Sequence, residues 1–284
     1  MLVTRVCYGR VFFAFFLVIK VLMKTIFKKV KDIIRACRKR RTWDHVIIHR
    51  RKLTENPPGL VLPLICGHVK GKLSCPPELT ILLVHNYESE PIMEQSLRYV
   101  GIENFTVVRP PINGPWIHTV KVSAILNYLK SGACKTEYLL YCDSNDAVLR
   151  DDPRKAIRCL EEENCELLFS KTRSKRVYKY LSHAKAWTDQ VAKEYGAPGW
   201  YINAGVYVAR TFFLREVLET AMAYVTETDL PGSEYKRLKD NGTVGEHLPE
   251  FPKGCGCDQT ILRYLHPQLY PRMKIDYQGR LALR

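Results

Sequence analysis

From Leu79 to Ser170 the sequence alternates short apolar runs with helix-like ones. "LTILLVHNY" (79–87), "FTVVRP" (105–110), "EYLLYC" (137–142) and "CELLFS" (165–170) read as buried strands. "PIMEQSLRYVG" (91–101), "HTVKVSAILNYLKSG" (118–132) and "DPRKAIRCLEEEN" (152–164) read as the helices between them, with Pro91 and Pro153 at their starts and Gly101 and Gly132 at two of their ends. Strands with no polar face, joined through helices, can be satisfied only by an α/β fold with a mostly parallel sheet covered on both faces. Such sheets bind ligands beyond the carboxyl ends of their strands.

Past Ser170 the pattern loosens. Residues 170–196 are basic and aromatic. "GWYINAGVYVAR" (199–210) is expected to form a strand or a strand pair, 211–227 a helix, 229–257 mostly loop, "DQTILRYLH" (258–266) a helix and "RMKIDYQGRLAL" (272–283) a last strand. Five prolines and three glycines mark 53–77 as a linker holding at most one short strand. The expected organisation is therefore a basic segment over 1–52, a linker over 53–77, and a single α/β domain over 78–284.

The net charge of +15 is unevenly spread. Residues 1–52 carry 15 Lys and Arg against two acids, whereas the remainder carries 29 against 27. A nearly neutral body argues against nucleic acid as a partner, because counterion release needs cations clustered on the binding domain. In the N-terminal segment Phe12, Phe16, Ile19, Met23, Ile26, Val30 and Ile33 recur at helical spacing, with Lys20, Lys24, Lys28, Lys31 and Arg35 on another face. This predicts an amphipathic helix lying in an anionic membrane surface, with the body on the cytoplasmic side. The plainer alternative is a core or interface helix. The ten cysteines contain no CxxC pair and are expected to be mostly reduced and buried.

One strand ends abruptly in acids: "EYLLYCDSNDAVL" (137–149) passes from Cys142 to Asp143 and Asp146. Two carboxylates three residues apart on a strand-to-loop turn can face one divalent ion, Mn²⁺ or Mg²⁺, which in turn can bind a diphosphate. The competing reading is a turn in which aspartates cap backbone amides.

Four blocks, in order, resemble GT-A glycosyltransferases, and within them the glycosyltransferase domain of the procollagen-lysine hydroxylases. They are "ILLVHNYES", "KVSAILNYLKSG" with "EYLLYCDSNDAVL", "WYINAGVYVAR", and "CDQTILRYLHPQLYPRMKIDYQGRL". The resemblance implies a Rossmann-like sheet and transfer of a sugar from a nucleotide-sugar donor, UDP-linked, to a hydroxyl of a glycan, glycolipid or protein. It implies that Asp143 and Asp146 bind the metal, that Asn86 faces the base or ribose, and that Lys121 sits near the nucleotide. Asn203, Ala204 and Gly205 would line the sugar pocket, and Asp258 and Gln259 would face donor or acceptor. If transfer inverts the anomeric centre, Asp258 would act as base; retention would need none.

Two positions depart from that family. Tyr277 follows Asp276 where the family carries a metal-ligating histidine, leaving Asp276, His247, His266 or water as the third ligand. Asn145 stands where the family carries a tyrosine, removing a surface on which a base could stack. Plainer readings stand beside each residue: Lys121 as a solvated helix residue, Asn203–Gly205 as an ordinary bulge, Asp258 as a helix N-cap. Two rival functions are a non-catalytic membrane-attached scaffold and a nucleotidyltransferase. The latter is disfavoured by "HNYESEP", which lacks the glycines of a phosphate loop.

Overall fold

The computed structural model describes residues 45–50, 53, 57–69, 71–112, 116–174, 181–225 and 257–283. The expected amphipathic helix, most of the expected 229–257 loop and His247 lie outside them. Among the described residues no helix is long and apolar enough to cross a membrane.

The chain is an α/β protein. Its strands are β1 (Ile47–His49), β2 (Leu79–Val84), β3 (Thr106–Val108), β4 (Tyr138–Cys142), β5 (Ala147–Leu149), β6 (Leu167–Thr172), β7 (Tyr201–Arg210), β8 (Met273–Ile275) and β9 (Ala282–Leu283). The described helices are α1 (Pro58–Cys66), α2 (Ile92–Tyr99), α3 (Val120–Lys130), α4 (Arg154–Glu162), α5 (Ser182–Glu194), α6 (Thr211–Met222) and α7 (Asp258–Leu269). Six strands form the main sheet in the order β3-β2-β4-β7-β6-β8, and three form a small one in the order β5-β1-β9.

The main sheet is mixed rather than mostly parallel. β2 runs parallel to β3 and β4, and β6 parallel to β8, but β7 lies antiparallel to both β4 and β6. The central strands β4 and β7 are buried on both faces, so successive side chains feed two cores. Leu139, Tyr141, Phe169 and Tyr207 pack under α3, α5, α6 and α7. Leu140, Cys142, Leu168 and Val208 pack on the other side with α1, α2, α4 and β1. Helices thus cover both faces, as expected.

Three expectations need correction. Residues 58–66 are a helix, not linker: Pro58 occupies its first turn, where no amide partner is lost, and Val61, Leu62, Ile65 and Cys66 bury its inner side while Pro63 faces out. Residues 47–49 belong to the fold rather than to the basic segment, because β1 is the middle strand of the small sheet, antiparallel to β5 and parallel to β9. The last strand is two, β8 and β9. The turn between them is held by Asp276, whose buried carboxylate accepts the amides of Gly279 (2.9 Å) and Leu281 (2.6 Å). The seven described cysteines are free thiols, four of them buried.

Candidate metal centre

Strand direction gathers the site. The carboxyl end of β4 hands over to Asp143, and because β7 runs the opposite way its opening residues lie at the same edge. The ladder between them continues past the strand, with the Asp143 amide donating to the Gly205 carbonyl at 2.7 Å. On the other side of β7 the register with β6 jumps: Phe169 pairs with Tyr207, but Ser170 pairs with Asn203. Ala204, Gly205 and Val206 therefore bulge out of that ladder, and a bulge of this kind re-aims side chains beside a site.

β1 delivers a third group. His49 pairs with Ala147, immediately after Asp146, and the Arg50 amide donates to the Asp146 carbonyl at 2.7 Å. The imidazole is 2 % exposed. Its Nε2 lies 3.1 Å from Asp146 Oδ1 and 3.7 Å from Asp143 Oδ2. One ligand atom from each of His49, Asp143 and Asp146 falls within 4.8 Å of the others.

The two oxygens of Asp143 face different neighbours. Oδ1 accepts from Lys121 Nζ (3.2 Å) and the Tyr141 hydroxyl (3.0 Å), while Oδ2 faces His49. Burial alone would raise this carboxyl, but Lys121, His49 and the Tyr141 hydroxyl outweigh burial and hold it at about 2. Lys121 also reaches Asp258 Oδ2 at 2.8 Å. Burial opposes the ammonium's charge, yet the two carboxylates keep its affinity for the proton well above the usual lysine range. Lys121 is therefore a buried, paired cation and not a solvated helix residue.

His49, Lys121, Asp143, Asp146 and Asp258 line one cavity of about 800 Å³, along with Asn86, Tyr87, Trp116, Asn145, Ala204, Cys257 and Gln259. Asn86 lies on its wall with the side-chain amide donating to the Pro110 carbonyl at 2.6 Å. Asp258 opens α7 and its Oδ1 takes the Gln259 amide at 2.7 Å; the N-cap is Cys257. Gln259 Oε1 accepts the Ala204 amide at 3.2 Å.

The structure brings all nine residues given a role from the resemblance to this cavity, but two take other positions than expected. Asn203 is 3 % exposed and its amide is spent on the protein: Nδ2 reaches His49 Nδ1 (2.8 Å) and Ser170 Oγ (3.1 Å), and Oδ1 takes the Gly205 amide (3.3 Å). Gly205 lies against the metal-ligating candidates themselves. A β-carbon there would overlap His49 Cε1 and Asp143 Oδ2.

The third group missing from the sequence reading is His49. Asp276 is committed to its own turn. His266 is buried against Trp187 at 4.9 Å between ring centroids, far from solvent, and burial lowers it to about 3. Trp187 is thus half-buried against the core, and Trp200 carries Lys171 and Arg173 over its ring (4.8 and 4.4 Å), while Trp116 reaches the cavity. The signal for His49 is slight: "HVIIH" (45–49) is a short apolar run closed by histidine, hidden behind a basic stretch.

A divalent cation fits these residues on three counts. The donor atoms converge. Nε2 of His49 is buried and makes no hydrogen bond among the described residues. The space beside them exists only because residue 205 has no side chain. Two carboxylates and an imidazole form a mixed oxygen and nitrogen set, which suits first-row divalent ions better than calcium.

Neither a protein-family model nor a curated protein matches the sequence.

Proposed function

We propose that this chain is a metal-dependent glycosyltransferase of GT-A type, moving a sugar from a nucleotide-sugar donor, UDP-linked, to a hydroxyl of a glycan, glycolipid or protein. The observation that carries the reading is the meeting of His49, Asp143 and Asp146 at the carboxyl edge of an α/β sheet, within a cavity large enough for such a donor. The four sequence blocks quoted above support it, and so does the antiparallel course of β7, which returns Asn203–Gly205 to that edge.

Asp143 and Asp146, with His49, would hold Mn²⁺ or Mg²⁺, which neutralises a diphosphate and stabilises its departure. The protein's own part is chiefly positioning. Lys121 and Tyr141 fix one oxygen of Asp143 and leave the other turned to the ligand side. The Lys121 ammonium adds fixed positive charge on the same wall. Ala204 and Gly205 keep that wall thin. Asp258, with one oxygen on Lys121 and the other on the Gln259 amide, serves as the counter-ion of Lys121 rather than as a base. The basic segment before β1 would seat the enzyme at the cytoplasmic face of a membrane, where a lipid-linked acceptor is delivered.

Thermal unfolding with a panel of nucleoside diphosphates, with and without Mn²⁺, tests the proposal. A ligand present at a hundred times its dissociation constant stabilises the native state by about 2.7 kcal/mol. UDP is expected to shift unfolding only with Mn²⁺, and Mn²⁺-dependent hydrolysis of UDP-sugars is expected to vanish in Asp143→Asn. Stabilisation by no nucleotide under any metal condition would sink the enzyme reading and favour a scaffold.

A further inference from the structure

We propose that Lys171 and Arg173, held over the ring of Trp200 at the rim of the cavity, seat a phosphate ester carried by the acceptor. The inference rests on the transferase reading above and adds to it the chemical class of the acceptor.

Sheet geometry puts the two cations at the site. β4 and β6 both run antiparallel to β7, so the carboxyl end of β6 opens on the same edge as Asp143. Lys171 is the last residue but one of β6, Arg173 follows the strand's end, and Ser174, next in the chain, lines the cavity. The exit of the strand is held in place. The Ser174 carbonyl accepts from Arg263 Nη2, and the Ser174 amide donates to Thr172 Oγ1, each at 3.1 Å.

The cations are fixed without being cancelled. Lys171 Nζ lies 4.8 Å and the Arg173 guanidinium 4.4 Å from the centre of the Trp200 ring. Attraction to a ring holds a charge and leaves it a charge, whereas a carboxylate would neutralise it. Lys171 Nζ also donates to the Tyr277 carbonyl, again a neutral partner. Asp276 lies near Lys171, but its carboxylate is fully buried and turned to the Gly279 and Leu281 amides. Arg173 is exposed and makes no ion pair among the described residues. A phosphate monoester, carrying a charge of about −1.5 to −2 at pH 7, matches two such cations where a carboxylate would match one. The planar guanidinium fork suits phosphate oxygens. Tyr195, 42 % exposed and packed on Tyr277 at 5.0 Å between ring centroids, offers an apolar surface next to Lys171 for the body of the acceptor. The basic N-terminal segment hands over to the fold beside this patch. His45 Nδ1 meets the Gly279 carbonyl, and a β-carbon on Gly279 would lie 2.8 Å from Lys171 Cε. A segment expected to seek an anionic membrane surface thus joins the body next to the phosphate seat.

The test uses the full chain, with glycerol 3-phosphate as soluble probe and glycerol as its uncharged control. The indole N–H of Trp200, assigned in nitrogen–proton spectra by its loss in Trp200→Phe, is expected to shift saturably with the phosphate and not with glycerol. Arg173→Gln is expected to weaken that binding about tenfold, the loss of one hydrogen bond to a charged group. With UDP and Mn²⁺ present the affinity is expected to persist. Displacement of the probe by UDP would give the two cations to the donor's diphosphate and overturn the acceptor role. The source of the phosphate is read from phosphatidylcholine vesicles carrying phosphatidic acid or, at equal surface charge, phosphatidylserine. A larger loss of binding in Arg173→Gln on phosphatidic acid assigns a lipid phosphate; equal losses, with the soluble probe bound, assign a free one. No saturable shift together with equal losses overturns the seat, as does wild-type affinity for both probes in Arg173→Gln. If UDP with Mn²⁺ still stabilises the fold, the transferase reading survives that failure. A phosphate seat in a protein that no nucleotide stabilises would overturn the transferase reading and the acceptor role with it.

Discussion

Lys121 and Asp258 meet at 2.8 Å, joining the first turn of α3 to the first residue of α7 inside the cavity wall. The same ammonium holds Asp143 at 3.2 Å, so one buried cation balances carboxylates from two distant parts of the chain. Replacing Lys121 by Met keeps the bulk and leaves the two acids uncompensated. Breaking a buried pair from one side typically costs 3–5 kcal/mol. Lys121→Met is expected to lose about that much in urea unfolding, and to regain part of it with millimolar Mn²⁺, which restores positive charge near Asp143. Unchanged stability would show that the acids are not held by this lysine.

Gly205→Ala is the narrowest probe of the centre. One methyl group would enter the space between His49 and Asp143. Overpacking costs typically ~1–3 kcal/mol, so the fold is expected to survive. Mn²⁺ binding by calorimetry is expected to drop at least tenfold. Retained affinity would place the cation elsewhere.

His49→Ala removes an imidazole ligand without touching the acids. Its expected effect is a loss of Mn²⁺ affinity of at least tenfold, with Mg²⁺, which favours oxygen ligands, affected less. Equal losses for the two ions would argue that His49 acts through Asp146 instead.

His266 supplies a pH signature away from the site. Burial lowers it to about 3, whereas an exposed histidine titrates near 6.5. A group with a depressed cationic pKa is neutral in the folded state and takes up a proton on unfolding. Stability is therefore full above about pH 6.5 and falls as the pH drops from there toward 3, by at most ~1.4 kcal/mol per pH unit. His266→Leu is expected to flatten the profile between pH 6.5 and 4 in urea titrations. An unchanged slope would mean that His266 is protonated in the native protein.

The sheet was largely legible, and its limits have physical causes. Strand and helix alternated up to Ser170 because strands buried on two faces leave unbroken apolar runs. The direction of β7 was not legible, since an apolar strand reads the same parallel or antiparallel. Pro63 disguised α1, a proline on the outer side of a short helix looking like linker punctuation. The acids were found because a carboxylate ending a buried run contradicts its surroundings. His49 was missed because nothing local marks it: its meaning comes from β1 lying between β5 and β9, a pairing across most of the chain. Asn203 and Gly205 were found, but their neighbours could not be, because the β7 bulge is set by its two partner strands together.

That bulge falls where β7 changes hands: β4 pairs with it from Val206 to Arg210 and reaches Gly205 through the Asp143 amide, while β6 takes up Tyr201 to Asn203. Gly205 and Val206 are left with β4 alone, and the Ala204 amide is held by Gln259 instead of by a strand. The consequence is mechanical. Gly205 is pinned between two paired stretches of one central strand, so any drift in the centre must first disturb the ladders on either side of it.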